Sequence, residues 1–420
     1  GGPGGPGGPG AAAGLLDAGG PGGPGGPGAA AGLLLSSSFV SIILLGGCKS
    51  LTTSDQNHDP GWDSFQREFI AGLFEVDPAS AVQAGRHDFD GRLPDWSSEG
   101  LASATAFLKR SRERATAFET DRLDELQQFE RDYLLAVADE RLFWVETSQA
   151  AYGNPSFYAD ALDPNVYVAR PYAPLQQRLR SYIAYAKNLA RAVEQIKANL
   201  RTPLPRTHVE IGRTVFGGLV SYFEKDVPSV FKTVEDQALQ AEFAEANAAA
   251  IAAVSGLDAW LGEQESAAND DFALGADLFS QMLYQTERVD VSLDRLEQLG
   301  RQDLERNLAA LEQACAAFAP GESIAECVVR VQLCKPAQGP VAAAREQLGS
   351  LKQFVVDNDL VSIPGPEEAR VAESPPYMRW NAAYIDIPGP LEENLPSVYY
   401  IAPSDPAWTD KERQDYLPGT

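Results

Sequence analysis

The sequence predicts a mainly α fold, one large multi-helix domain with a small β-sheet near its C-terminal end. Apolar residues recur at spacings of three and four along most of the chain from Trp62 onward. After about residue 358 the pattern changes to short period-two runs broken by Pro-Gly-Pro. A length of 420 residues allows two or three ordinary domains or one large helical one. Helices first and strands last favour a single α-rich domain over 61–420.

The first 48 residues belong to no fold. GGPGGPGGPGAAAGLL stands at 1–16 and again at 19–34, a low-complexity tract with nothing to bury and too few triplets for a collagen helix. With no initiator Met, this start reads as processed or mistranslated. Residues 29–47 are uncharged and mostly apolar, and they end on Leu45-Gly46-Gly47-Cys48. That ending has the form of a bacterial lipobox, in which the cysteine is acylated after cleavage. A marginal transmembrane anchor and a translation artefact are the alternatives, because no basic segment precedes the apolar run. Lys49 beside the cysteine favours the outer membrane, and 49–60 reads as a polar tether. An exported, periplasmic lipoprotein held through Cys48 is the expectation.

The helices follow in order. Trp62, Phe65, Phe69, Ile70 and Leu73 share one face. Two long helices fill 97–149, the second with Leu123, Leu126, Phe129, Tyr133 and Val137 in register. Leu175, Leu179, Ile183, Leu189, Val193, Ile196 and Leu200 stripe a helix over 174–200, and an Ala- and Glu-rich helix covers 235–265. Leu293, Leu296, Leu304, Leu308 and Leu311 line another over 289–318, and a last helix spans about 340–357. All these stripes are expected to be core. The connecting stretches 85–97 and 154–178 are long and rich in Tyr, Arg, Asp and Pro, a composition that points to loops lining something.

Met378, Trp380, Ala382 and Tyr384 alternate in a run that reaches Ile387, and Pro-Gly-Pro then turns it. Residues 397–402 supply a partner strand. Beyond Pro403 and Pro406, Thr409 with Glu412 forms a capping box, so the chain reaches Thr420 just after opening a helix. The terminal Leu-Pro-Gly-Thr also has the form that a sortase leaves.

A net charge of −25 repels nucleic acid and anionic headgroups, so no nucleic-acid partner is expected. Solubility explains the charge, with a preference for basic ligands as the alternative. Cys315, Cys327 and Cys334 make no disulfide framework; Cys327 could pair with Cys334, or the thiols are free and buried. Only His58, His87 and His208 occur, with no His-Glu-x-x-His and no Cys/His cluster, so this chain is expected to bind no zinc. His58 sits in the tether and His87 reads as a loop hydrogen-bonder. His208-Val209-Glu210 reads as a solvated pair in an inter-helix loop. No Gly-x-Ser-x-Gly or phosphate loop is present.

Six stretches in order, at 85–97, 154–178, 271–283, 351–364, 373–392 and 398–408, resemble the bacterial family called domain of unknown function 885. The resemblance implies an exported or lipid-anchored, α-rich protein related to zinc metallopeptidases of the carboxypeptidase-like, gluzincin type. It also implies zinc for the full-length family and a peptide substrate. The family's His-Glu-x-x-Pro-Gly-His helix comes shortly after the segment at 399–417 here and is absent from the 420 residues, so the chain reads as truncated and catalytically incomplete. No catalytic or metal residue is therefore assigned. What the resemblance carries over is a framework for the substrate cleft: Tyr377, Arg379, Tyr399 and Tyr400. Plain packing is the competing role for these four. A non-catalytic helical lipoprotein that binds or scaffolds is the rival reading.

Overall fold

The computed structural model describes residues 58–411 apart from 364, 366–367, 375–381, 393–394, 405–407 and 410. The chain is mainly helical. Asp59 caps the first helix, α1 (Pro60–Val76), by accepting from the Gly61 amide, and Pro60 fits the first turn because its missing N–H would have no partner there. Asp77 then caps α2 (Pro78–Gln83). Helix α3 (Ser98–Thr116) starts on Ser97, and α4 (Glu125–Leu142) starts on a capping box of Asp124 and Gln127. Trp62, Phe65, Phe69, Leu73, Ala115, Leu123, Leu134 and Val137 close these three long helices around their own core.

The main core is larger. Short helices α5 (Ala150–Gly153) and α6 (Asn165–Ala169) lead into α7 (Leu175–Asn199), α8 (Arg206–Ser221), α9 (Val227–Phe231) and α10 (Gln237–Gln264). Leu179, Ile183, Leu189, Val193 and Ile196 of α7 are buried in it, as their spacing requires. The polar groups inside are satisfied in a chain: Tyr182 donates to Asn247, which donates to the Phe223 carbonyl at 2.9 Å.

Helices α11 (Gly275–Glu287), α12 (Leu293–Phe318), α13 (Ile324–Gln332) and α14 (Pro340–Asp357) follow. Strands β1 (Arg370–Glu373), β2 (Ala383–Asp386) and β3 (Val398–Ile401) then form one sheet in the order β1-β3-β2. The expected pair is β2 and β3, antiparallel with Tyr384 opposite Tyr400. The parallel neighbour β1 is an addition that Arg-Val-Ala-Glu is too short to announce.

Four expectations need correction. Leu126 and Phe129 are 54% and 53% exposed, because α4 turns Leu134, Val137 and Leu142 inward instead. Leu304, Leu308 and Leu311 of α12 are also exposed, since no described residue covers that stripe; the same holds for Leu351 and Phe354 of α14. His208-Val209-Glu210 is no loop. It forms the first turn of α8, where Pro205 starts the helix and Val209 is fully buried. Finally, Cys327 bonds Cys315, not Cys334. The hairpin of α12 and α13 brings those two Cα atoms to 5.7 Å, while Cys334 lies exposed past the end of α13.

Candidate functional site

The two long loops that the sequence marks as unusual meet the sheet segment at one place. Gly85 has φ +93, and a side chain there would put Cβ 2.6 Å from Glu392 Cγ. Gly389 approaches as closely from the other side, its Cβ position lying 2.4 Å from the Ala84 carbonyl carbon. The Leu391 amide donates to the Ala84 carbonyl at 3.0 Å. Two backbones in contact leave Glu392 buried, its side chain 3% exposed.

Such a carboxylate needs partners, and it has them on both oxygens. His87 Nε2 lies 3.1 Å from Oε1. Arg170 Nη1 donates to Oε2 at 2.8 Å, and the Gly389 amide donates to the same oxygen. Arg170 also donates to the carbonyls of Gln83 and Ile387, and Nη2 pairs with Asp386 of β2 at 3.5 Å. On the other side of the imidazole, His87 Nδ1 lies 3.0 Å from Asp90 Oδ1. Asp90 Oδ2 accepts from Tyr172 at 2.8 Å and from Ser181 at 2.7 Å. The Tyr172 ring stacks on His87 with centroids 3.5 Å apart.

With a carboxylate at each ring nitrogen, both nitrogens must donate, so His87 is an imidazolium. Burial alone would lower its pKa, but the hydrogen bonds to Asp90 and Glu392 prevail and raise it to about 9. Burial, with the Asp90 charge, pushes the Tyr172 hydroxyl up, so it stays a donor. An imidazolium with both N–H groups engaged has no lone pair for a metal or a proton. The arrangement ties segment 386–392 to the helical body.

The sheet beside this clasp carries two of the four expected cleft residues, Tyr399 and Tyr400. Adjacent strand residues point to opposite faces, so Tyr399 and Tyr400 part company. Tyr399 packs on the cluster of Ala344, Val371 and Ile401, on the side of α14. Tyr400 stacks on Tyr384 at 5.0 Å, on the face that also carries Asp386, and burial followed by the Asp386 charge raises its hydroxyl. Only Tyr400 is therefore placed with the clasp. Tyr377, Arg379 and Cys48 lie outside the described residues, as does Glu412. His208 Nδ1 lies 3.0 Å from the Gly153 carbonyl. His58 is not simply tether: it lies 2.8 Å from Asp124 and 2.9 Å from Asp63.

Near the clasp, a cavity of about 20 Å³ has room for one water and is lined by Gln83, Arg92, Asp160, Asp163, Tyr167 and Tyr185. Asp163 accepts from the Asn165 amide at 2.9 Å, yet burial pushes its carboxyl up to about 6.

Among the described residues no three His, Cys, Asp or Glu side chains are placed to hold a metal ion. No described helix is long and apolar enough to cross a membrane.

Fold and site together define a mainly helical protein that clasps a small C-terminal sheet to its body. The chain belongs to the family of bacterial proteins of unknown function called domain of unknown function 885, whose model matches residues 78–417. Two solved structures share the fold. One is a presumed lipoprotein of unknown function from Shewanella oneidensis, 21% identical, with a TM-score of 0.62 over 85% of this chain and 67% of that one. The other is a presumed lipoprotein from Colwellia psychrerythraea, 12% identical, with a TM-score of 0.63 over 82% and 67%. No curated protein matches the chain.

Proposed function

We propose that this chain frames the substrate in an exported, zinc-peptidase-like lipoprotein and is anchored through Cys48. The clasp carries the reading. His87, Arg170 and Glu392 hold segment 383–392 against the helical body, so that Tyr384 and Tyr400 sit on strands of fixed register. Strands so held suit an extended peptide, with main-chain pairing for affinity and the tyrosines, with Tyr377 and Arg379, for contact. Export is supported by the Cys315–Cys327 bond, which belongs to oxidising compartments, and by the fold shared with presumed lipoproteins. Zinc chemistry belongs to the His-Glu-x-x-Pro-Gly-His helix of the family, and no step is assigned to residues of this chain.

The full engagement of His87 favours a second reading, a non-catalytic lipoprotein that only binds or scaffolds. One experiment separates the two. The purified chain is titrated with a mixed-sequence extended peptide library, with and without zinc, and Tyr400→Ser is run beside it. Binding without cleavage, weakened at least several-fold in Tyr400→Ser, is expected. Failure to bind any peptide at millimolar concentration favours the scaffold, and turnover by the chain alone would show that it supplies its own catalytic groups.

A further inference from the structure

The tether does not leave the body at an arbitrary point. His58, the first described residue, bridges Asp63 of α1 and Asp124 at the start of α4. The Asp59 amide donates to Gln127 Oε1 at 2.9 Å, and Gln127 Nε2 donates back to the Asp59 carbonyl at 3.0 Å. Three of these four hydrogen bonds fasten the exit to the first turn of α4, which carries Leu126. Phe129 is three residues on, so the two share a face. Both are large exposed apolar side chains among the described residues, and Phe129 extends the patch by stacking on Tyr133 at 6.1 Å.

Nine residues separate Cys48 from His58. Fully extended they span about 30 Å, and less when relaxed. An acyl group at Cys48 therefore keeps this end of the three-helix unit close to the bilayer. The larger exposed apolar surface on α11 to α14 begins elsewhere. Arg288, just past α11, pairs with Asp139 at 2.8 Å, and Asp139 lies about 20 Å along α4 from Leu126.

We infer that the α4 face bearing Leu126 and Phe129 rests on the lipid leaflet that holds the anchor. The inference rests on the Cys48 acylation of the proposed function and adds which side of the body meets the membrane. This end of the unit carries both acidic and basic side chains, Glu119, Asp121 and Glu125 with Arg122 and Arg131, so the surface it fits is a zwitterionic, phosphatidylethanolamine-rich one.

The test uses the full chain made in a bacterium with Cys334→Ser, so that a single introduced thiol takes an environment-sensitive fluorophore. Phe129→Cys and Leu351→Cys are compared in phosphatidylethanolamine-rich vesicles with and without brominated lipid. The expected result is a blue shift and at least two-fold quenching at position 129, with solvent-like emission at 351. Matching melting curves for labelled and parent proteins show that the body is intact. Solvent-like emission at 129 overturns the inference while leaving the anchor standing, if intact mass shows acylated Cys48 and the protein floats with vesicles. Quenching at 351 in place of 129 overturns it in favour of the other face. Unacylated Cys48 with no flotation overturns the anchor and the inference together.

Discussion

Deleting the imidazolium of His87 gives the sharpest test of the clasp, because its effect has a defined pH window. The free-chain value is 6.5 and the folded value about 9. That difference corresponds to about 3 kcal/mol in favour of the charged, folded form. The raised value means the folded state holds the proton more tightly. The contribution is therefore fully present below pH 6.5 and is lost as pH rises through about 9, with about half gone near pH 7.8. His87→Gln keeps a polar side chain but not the charge. Denaturant unfolding of both proteins at intervals from pH 6 to 10 should show a stability difference that shrinks by about 3 kcal/mol across that range. Subtracting the variant removes every other titrating group. With only three histidines, imidazole NMR signals can be assigned from single substitutions, and the one lost in His87→Gln should titrate near 9. A His87 signal titrating at or below 6.5, or a stability difference independent of pH, would refute the doubly donated imidazolium.

Asp163→Asn keeps the oxygen that accepts from Asn165 but removes a charge that burial disfavours; at pH 7 it should stabilise the fold by about 2 kcal/mol, with no gain near pH 4. Equal stability at both pH values, read by thermal melts, would count against that burial. Peptide mapping without reductant should recover Cys315 linked to Cys327 and Cys334 as an alkylatable thiol, whereas a Cys327–Cys334 link would contradict the hairpin. Breaking the bond with Cys327→Ser should cost about 3 kcal/mol locally, seen as faster amide exchange in α12 and α13. The exposed leucines of α12 should drive association at micromolar concentration, and Leu304→Glu with Leu308→Glu should return a monomer by sedimentation. An association unchanged by that pair would place the contact elsewhere.

Much of the helical body was legible because its stripes are long: seven apolar positions of 174–200 fix both the element and its face. The same rule misled at Leu126, Phe129 and Leu304. Periodicity reports that a side of a helix is apolar, while burial depends on whether another element arrives to cover it. Pro203 and Pro205 hid α8, since a proline that ends one segment can equally start the next. The clasp was half visible. Unusual composition marked the stretches 85–97 and 154–178 that hold His87 and Arg170, but Glu392 lies 222 residues from Arg170, and nothing local marks a carboxylate whose partners are that distant. Strand alternation could have separated Tyr399 from Tyr400, as the pleat allows only one of them to face the clasp.

Two of the three histidines repeat one device, and the charge of the chain explains why. In a protein of net charge −25, carboxylates crowd wherever segments meet. At the tether exit these are Asp63 and Asp124, and at the sheet they are Asp90 and Glu392. A histidine between two carboxylates relieves their repulsion and ties two segments at once, which a lysine's single ammonium does with less directional control. The hydrogen bond to Asp124 leads in raising the His58 pKa, which burial opposes; at His87 burial also opposes, and two carboxylates outweigh it. Each ring ties two segments through both of its nitrogens, so these two histidines act as fasteners in the fold. At the sheet, the same fastening sets where β2 and the residues after it lie against the helical body.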